Sequence, residues 1–125
     1  MQEIVTPDAP RPAGHYVQGL AHGGFVFVAG QLPLDPATGA LVGAGDIAAQ
    51  TERTLANVAA VLAAGGSDLS RVVSLTVYVT SVELWPSVNE ACARCFGAHR
   101  PTRAVVPVPA LRHGCMIEMQ AIGAL

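Results

Sequence analysis

The sequence predicts an α+β fold in which two helices cover one face of a mixed sheet, in the order β-β-α-β-α-β-β. Two patterns carry this prediction. Residues 71–80 alternate in the manner of a strand, with four apolar side chains on one face: Val73, Leu75, Val77 and Val79. From residue 47 onward, apolar positions recur every three or four residues, which is typical of one face of a helix: Ile47, Thr51, Leu55, Val58 and Leu62.

Capping and breaking residues set the limits of these elements. Asp46 can cap the first helix, and Gly65–Gly66 can end it. Pro86 is tolerated in the first turn of a second helix, which Gly97 can end. Further strands are expected at residues 23–30, 103–108 and 114–123. Because proline cannot donate to a ladder, Pro107 places its strand at an edge or a bulge. Residues 1–125 are expected to form a single domain.

The composition predicts that part of the surface is buried against other copies of the chain. Only 13% of the residues are charged, against about 25% in an ordinary soluble domain, while 51% are hydrophobic. Two helices leave the other sheet face uncovered, and that face carries the half-polar set Ser74, Thr76 and Tyr78. We therefore expect a homo-oligomer.

Other partners and compartments are less compatible with the chain. A net charge of −2 without a basic stripe argues against nucleic acid. No run approaches the about 20 apolar residues of a membrane-spanning helix, and the N-terminus lacks a signal-peptide pattern. Three cysteines in such a chain fit a reduced, cytoplasmic protein.

Cysteine and histidine patterns offer little chemistry. Cys92 and Cys95 match a CxxC spacing, but both fall on the apolar face of the second helix, so core packing is the favoured interpretation. Cys115 has no evident partner. The four histidines show no ligand spacing: His15, His22, His99 and His113. No GxSxG, P-loop or GxGxxG motif is present, and we expect no metal site.

Arg103 stands one step inside an apolar strand, in a chain whose seven basic residues are all arginines. Two interpretations are open from the residues alone. Arg103 is either a surface arginine at a strand end or a clamp that holds a carboxylate through two parallel hydrogen bonds. Gly30 could add a backbone donor to such a clamp, because glycine allows a ligand to approach the chain closely.

Several blocks, taken together, resemble the RidA/YjgF family of reactive intermediate deaminases, a family also called endoribonuclease L-PSP. These blocks occur in the family's order from about Gly14 onward: GHYVQGL, VFVAGQLPLDPATG, QTERTLANVAAVLAAGG, RPTRAVVPVPAL and IEMQAIG. The resemblance implies a chorismate-mutase-like fold. It also implies a homotrimer with a central barrel and three ligand clefts between subunits. Such proteins use no metal or organic cofactor, and they hydrolyse enamines and imines such as 2-aminoacrylate to 2-keto acids and ammonia.

The resemblance also suggests roles for single residues. Arg103 matches the arginine that binds the substrate carboxylate, and Gly30 matches the glycine whose backbone faces the same group. Three further positions match residues near the cleft: Tyr16, Trp85 and Asn89.

Three positions depart from the family pattern. Ala29 stands where many members carry serine, and Val105 stands where they often carry cysteine. Gln120 stands where the family carries the glutamate that positions and activates the attacking water. Glu118 matches the earlier acid of the family pattern on the same strand. A glutamine can hydrogen-bond a water molecule but cannot take its proton.

Two functions therefore remain open. The first is a cofactor-free enamine/imine deaminase in which Arg103 clamps the carboxylate and Gln120 orients water. The second is a non-hydrolytic relative that binds a small carboxylate or keto acid in a specialised pathway. Arg103 suits both functions, and Gln120 favours the second.

Overall fold

The computed structural model describes residues 1–125, which form one six-stranded sheet and two α-helices. The helices are α1 (Ile47–Ala64) and α2 (Trp85–Phe96). The strands are β1 (Gln2–Ile4), β2 (Gly19–His22), β3 (Phe25–Gln31), β4 (Val72–Val79), β5 (Thr102–Pro107) and β6 (Ile117–Ala124). Their order across the sheet is β1-β2-β3-β6-β4-β5, with β4 and β5 parallel and all other neighbours antiparallel.

This architecture confirms the predicted α+β class, with one short strand more than expected. β1 adds a third strand before α1, and it is too short for its alternation to be recognised in the sequence. The last strand begins at Ile117 rather than at residue 114. Residues Arg112–Gly114 instead form a single helical turn, in which His113 has a φ of 60°.

The predicted helix ends are confirmed. The side chain of Asp46 accepts a hydrogen bond from the N–H of Ala49 at 3.1 Å, which satisfies one unpaired donor of the first turn of α1. Gly65 ends α1, and Gly97, with a φ of 63°, ends α2. Pro86 lies in the first turn of α2, where no N–H is required.

The core lies between the helices and one face of the sheet. α1 buries Leu55, Val58, Val61 and Leu62 against β3 and β6. β4 contributes Leu75, Val77 and Val79, as predicted. Val73 was expected on the same face, and this prediction is wrong. The register between β4 and β6 shifts between Val72 and Ser74, so Val72 is buried and Val73 is 42% exposed.

The opposite face of the sheet, called here the open face, is not covered by the helices. Its aromatic residues are substantially exposed, with Phe25 at 40% and Phe27 at 41%. Tyr78 and Ile122 are half-buried on the same face. Neither helix combines the length and hydrophobicity that crossing a membrane requires. The open face is the surface on which the predicted assembly of copies depends.

β5 forms one edge of the sheet, as the prolines predicted. β5 pairs only with β4 and has no neighbouring strand on its other side. The N–H that Pro107 lacks therefore removes no hydrogen bond to a second neighbouring strand. This placement leaves one side of the Arg103 strand open to solvent or to another molecule.

Three buried amide side chains tie the irregular segments to the sheet and to α1. Gln18 accepts from the N–H of Thr6 at 2.7 Å and donates to the carbonyls of Thr6, Ala9 and Pro10. Asn57 donates to the carbonyls of Leu32 and Leu34, just beyond β3. Gln50 donates to the carbonyl of Gly43 and accepts from the N–H of Met116, just before β6.

Replacing Gln18 by alanine is expected to lower the free energy of unfolding by about 1–3 kcal/mol, because buried backbone groups lose their partners. The matched control is Gln2→Ala in the exposed part of β1, which should stay within about 0.5 kcal/mol of the parent protein. Urea denaturation at one fixed protein concentration measures both. Equal stability of the two variants would contradict the anchoring role of Gln18.

Candidate functional site

Arg103 lies on the helix side of the sheet, at its edge. In the parallel ladder it pairs with Leu75 of β4, whose side chain faces the core, and this register aims Arg103 toward α2. Its Nη2 donates to Oδ1 of Asn89 at 3.1 Å, and its guanidinium carbon lies 5.6 Å from the ring centroid of Trp85. Trp85 and Asn89 lie about one turn apart on α2. Together they fix the guanidinium without neutralising it.

A cleft of about 510 Å³ opens beside this arginine. Its polar lining includes Asn89, His99, Arg100 and Arg103, and no acidic side chain belongs to it. The ring of His99 is itself held in place, since its Nε2 donates to the carbonyl of Val72 at 2.7 Å. The cleft is therefore electropositive and suits an anion.

Val105 follows two residues later on the same side of β5 and pairs with Val77. It is half-buried and packs against the core cluster. It therefore presents no polar atom to this cleft.

Gly30 lies on a different part of the sheet, near the end of β3. The register between β3 and β6 shifts between Val28 and Gln31, which places one extra residue on β3. A Cβ atom added at Gly30 would overlap Oε1 of Glu118, and its three nearest atoms all belong to the Glu118 side chain. A side chain at this position would require the carboxylate of Glu118 to move, because that carboxylate occupies the space of a Cβ atom.

Glu118 is half-buried and has no cationic partner. Burial raises the pKa of its carboxyl group above the ordinary range of a glutamate. A carboxylate with a raised pKa is a stronger base than an exposed one, which is a property that a proton-accepting group needs.

Gln120 lies elsewhere on the open face. It pairs with Thr76 of β4 and lines a shallow depression with Phe27, Ser74 and Ile122. The sequence assigned the water-positioning place to Gln120, whereas the side chain that the structure brings against Gly30 is that of Glu118.

Tyr16 and Ala29 lie on the Gly30 side. Tyr16 is 51% exposed, and its hydroxyl accepts from the N–H of Ala13 at 3.1 Å. Together with Gly30 and Arg112 it lines a small cleft. The N–H of Ala29 donates to the carbonyl of Gln18, and its carbonyl accepts from Nε2 of Gln31, so both backbone groups of this β3 residue are paired.

Apart from Gln120, the predicted site residues, together with Glu118, form two separate groups within one copy of the chain. The clamp half consists of Trp85, Asn89, Arg103 and Val105, whereas the glycine half consists of Tyr16, Ala29, Gly30 and Glu118. β6 and β4 lie between β3 and β5, which corresponds to about 14 Å across the sheet. The side chains of Arg103 and Glu118 also project from opposite faces. One copy alone does not bring the two halves together.

The cysteines are free thiols. Cys92 and Cys95 lie within α2, and burial raises the pKa of both thiols. Burial likewise raises the pKa of the Cys115 thiol. These environments disfavour the reactive thiolate. No three His, Cys, Asp or Glu side chains are grouped so that they could hold a metal ion.

Known proteins resemble this chain in sequence and in fold. The family model described as Endoribonuclease L-PSP matches residues 6–125. A RutC family protein of Pyrococcus abyssi is 43% identical over 119 residues, 95% of this chain and 93% of its own length. The 2-iminobutanoate/2-iminopropanoate deaminase of Salmonella typhimurium is 38% identical over 122 residues, 95% of this chain and 94% of its own length. E. coli TdcF with bound serine has a TM-score of 0.94 at 33% identity, covering 100% of this chain and 99% of that chain.

The chain belongs to the RidA/YjgF family. Within this RidA/YjgF chain, the residue that sequence reasoning undervalued is Glu118. Its position next to Gly30 depends on the register shift in β3, which no local pattern shows. The sequence signal that could have found it is the pair of polar side chains, Glu118 and Gln120, on an otherwise apolar strand.

We expect Glu118→Gln to be more stable than the parent protein near neutral pH. Because the folded-state pKa is raised, the folded protein holds this proton more tightly than the unfolded chain does. The contribution of Glu118 to stability therefore falls as pH rises from the ordinary glutamate value of about 4.3 through the raised value. The stability advantage of Glu118→Gln over the parent protein should vanish at pH values below that range.

Denaturant midpoints of both proteins across this pH range test the expectation. Glu90→Gln, on the exposed surface of α2, is the matched control for the loss of one glutamate carboxyl group. A constant difference between Glu118→Gln and the parent at every pH would contradict the assignment.

Proposed function

We propose that this protein hydrolyses enamine and imine intermediates of the 2-aminoacrylate type to 2-keto acids and ammonia, without a cofactor. The observation that carries the proposal is Arg103, a half-buried guanidinium fixed by Asn89 and Trp85 but paired with no carboxylate. An arginine held in this way is prepared to receive the carboxylate of a ligand.

Arg103 acts as the clamp of the reaction. One N–H group of its Nη2 is engaged by Asn89, which leaves other N–H groups for two parallel bonds to the substrate carboxylate. The bound carboxylate orients the adjacent imine carbon, and the positive charge stabilises negative charge that develops near it.

Glu118 takes the role that the sequence assigned to Gln120. Its carboxylate accepts a proton from a water molecule while the water oxygen bonds to the imine carbon. As the C=N π bond opens, the protonated Glu118 passes this proton to the imine nitrogen and a carbinolamine results. The amino nitrogen then takes up a further proton from solvent and leaves as ammonia, while the hydroxyl proton passes to Glu118 and the carbonyl of the keto acid forms. Glu118 is suited to this exchange because its raised pKa makes it both a competent base and, once protonated, a competent acid.

Two relatives support this chemistry. The Salmonella typhimurium protein is named as a deaminase of 2-iminobutanoate and 2-iminopropanoate. TdcF of E. coli has serine bound, which is a small ligand that carries a carboxylate. In this chain we assign the binding of the ligand carboxylate to Arg103.

The cleft forms between copies of the chain. The clamp half and the glycine half lie on opposite faces of one sheet, so a complete site needs one half from each of two copies. A homotrimer that packs the open faces together would bury Phe25, Phe27 and Ile122 and create three such clefts. Small carboxylate-bearing molecules are its ligands.

The alternative is a protein that binds a keto acid and does not hydrolyse imines. Gln120 was the observation in its favour. Glutamine at position 120 does not remove the acid from the glycine half, because Glu118 lies against Gly30 and supplies a carboxylate there. The two functions predict the same ligand binding and differ in ammonia release.

We expect Glu118→Gln to lower kcat for ammonia release from freshly generated 2-aminoacrylate by about 10²–10⁴-fold, the usual contribution of a general base. Gln120→Glu should change kcat by less than about threefold, because Gln120 lies against Thr76 and not at Gly30. In the parent protein, kcat should fall at low pH as Glu118 becomes protonated, and this acid limb should be absent from Glu118→Gln.

Coupled detection of ammonia under saturating substrate measures these rates. A large gain in Gln120→Glu with no loss in Glu118→Gln would return the role to position 120. Keto-acid binding without any ammonia release from the parent protein would favour the binding-protein alternative.

Mixed assemblies test whether the site lies between copies. Arg103→Ala and Glu118→Gln should each be inactive alone, since every cleft lacks one half. When the two variants are co-expressed, each cleft has a chance of about one in four of combining the two intact halves. We therefore expect about a quarter of the parent activity.

The control is co-expression of Arg103→Ala with Arg103→Ala,Glu118→Gln, in which no cleft can be complete. Recovery of activity in that control, or none in the test mixture despite trimers in sedimentation experiments, would contradict a shared cleft.

A further inference from the structure

Three of the seven arginines have no side-chain partner, and all three line the clefts of the candidate site. The other four arginines have partners. Arg53 contacts Asn57 and Arg71 contacts Asp68. Arg94 contacts Glu52 and Arg103 contacts Asn89. The unpartnered ones are Arg100 in the cleft of the clamp half, and Arg11 and Arg112 in the cleft of the glycine half.

Arg112 lies six residues before Glu118 in the chain. It begins the turn Arg112–Gly114, which lines the same cleft as Gly30 and Tyr16. Gln50 holds the end of this segment by accepting from the N–H of Met116 at 2.9 Å. The guanidinium of Arg112 therefore projects from an anchored turn and not from a loose loop.

The charge around the site exceeds what one carboxylate requires. Neither the cleft at Arg103 nor the small cleft at Gly30 is lined by an acidic residue, and the carboxylate of Glu118 lies beside Gly30. Arg103 alone suffices for the carboxylate beside the imine. In a chain with so few charges, additional unneutralised arginines at the same place indicate a second anionic group on the ligand.

We propose that the substrates include imines of dicarboxylic 2-keto acids, and that Arg112 binds the carboxylate distal to the imine. The inference rests on the proposed function, because Arg103 must hold the first carboxylate. In the assembled cleft, Arg112 of the glycine half and Arg103 of the clamp half contact the two ends of one ligand.

Calorimetry on the full-length assembly with 2-oxoglutarate and its 5-methyl ester tests this proposal. The two compounds share a carbon skeleton and differ in the distal charge. We expect the parent protein to bind 2-oxoglutarate about tenfold or more tightly than the ester, as a charge-assisted hydrogen bond predicts. Arg112→Gln should lose this preference and keep its affinity for the ester.

Two variants sharpen the comparison. Arg94→Gln removes an arginine that pairs with Glu52 on the surface, and it should leave both affinities unchanged. Arg112→Lys keeps the positive charge but loses the bidentate geometry, so it should retain part of the preference for 2-oxoglutarate over the ester. This variant also shows whether a loss in Arg112→Gln comes from a folding defect.

Equal affinity of the parent protein for the two compounds would overturn the proposal, as would an equal loss of both affinities in Arg112→Gln. The proposed function fails in a different way. If neither compound binds, or if Arg103→Gln binds both as well as the parent does, the clamp itself is wrong and the second site falls with it.

Discussion

Three buried amide side chains provide the constraint on which the site depends. Gln18, Gln50 and Asn57 are almost inaccessible to solvent, and each satisfies backbone groups that no strand or helix pairs. A buried carbonyl or N–H without a partner is costly, so these bonds hold the segments around Gly30 in one arrangement. The result is a cleft whose backbone near Tyr16, Gly30 and Arg112 is held by buried hydrogen bonds.

The second feature is the division of the site between two faces of one sheet. The parallel register of β4 and β5 turns Arg103 toward the helices, whereas the alternation of β6 turns Glu118 toward the open face. The same sheet leaves aromatic surface uncovered on the side of Glu118. In the proposed function, assembly buries that surface and joins the two halves, so that folding, association and catalysis depend on the same residues.

The candidate site was predictable only in part. Arg103 stood out because a charge inside an apolar strand is unusual, and Gly30 because glycine allows a ligand to approach the backbone closely, and the family resemblance gave both their roles. The choice between Glu118 and Gln120 was not recognisable, since both share one face of β6 and lie about 7 Å apart along it. The extra residue of β3 between Val28 and Gln31 brings Glu118, and not Gln120, against Gly30.

The sequence by itself determined the features that depend on neighbours along the chain. These are the two helices with their caps at Asp46, Gly65 and Gly97, the strand period of residues 74–79 and the edge position of β5. Only the tertiary structure decided the bulge at Val73, the partners of the buried amides and the contact of Glu118 with Gly30. The physical reason is that caps and periodicity act within a few residues, whereas strand register and buried hydrogen bonds join segments that meet only after the chain has folded.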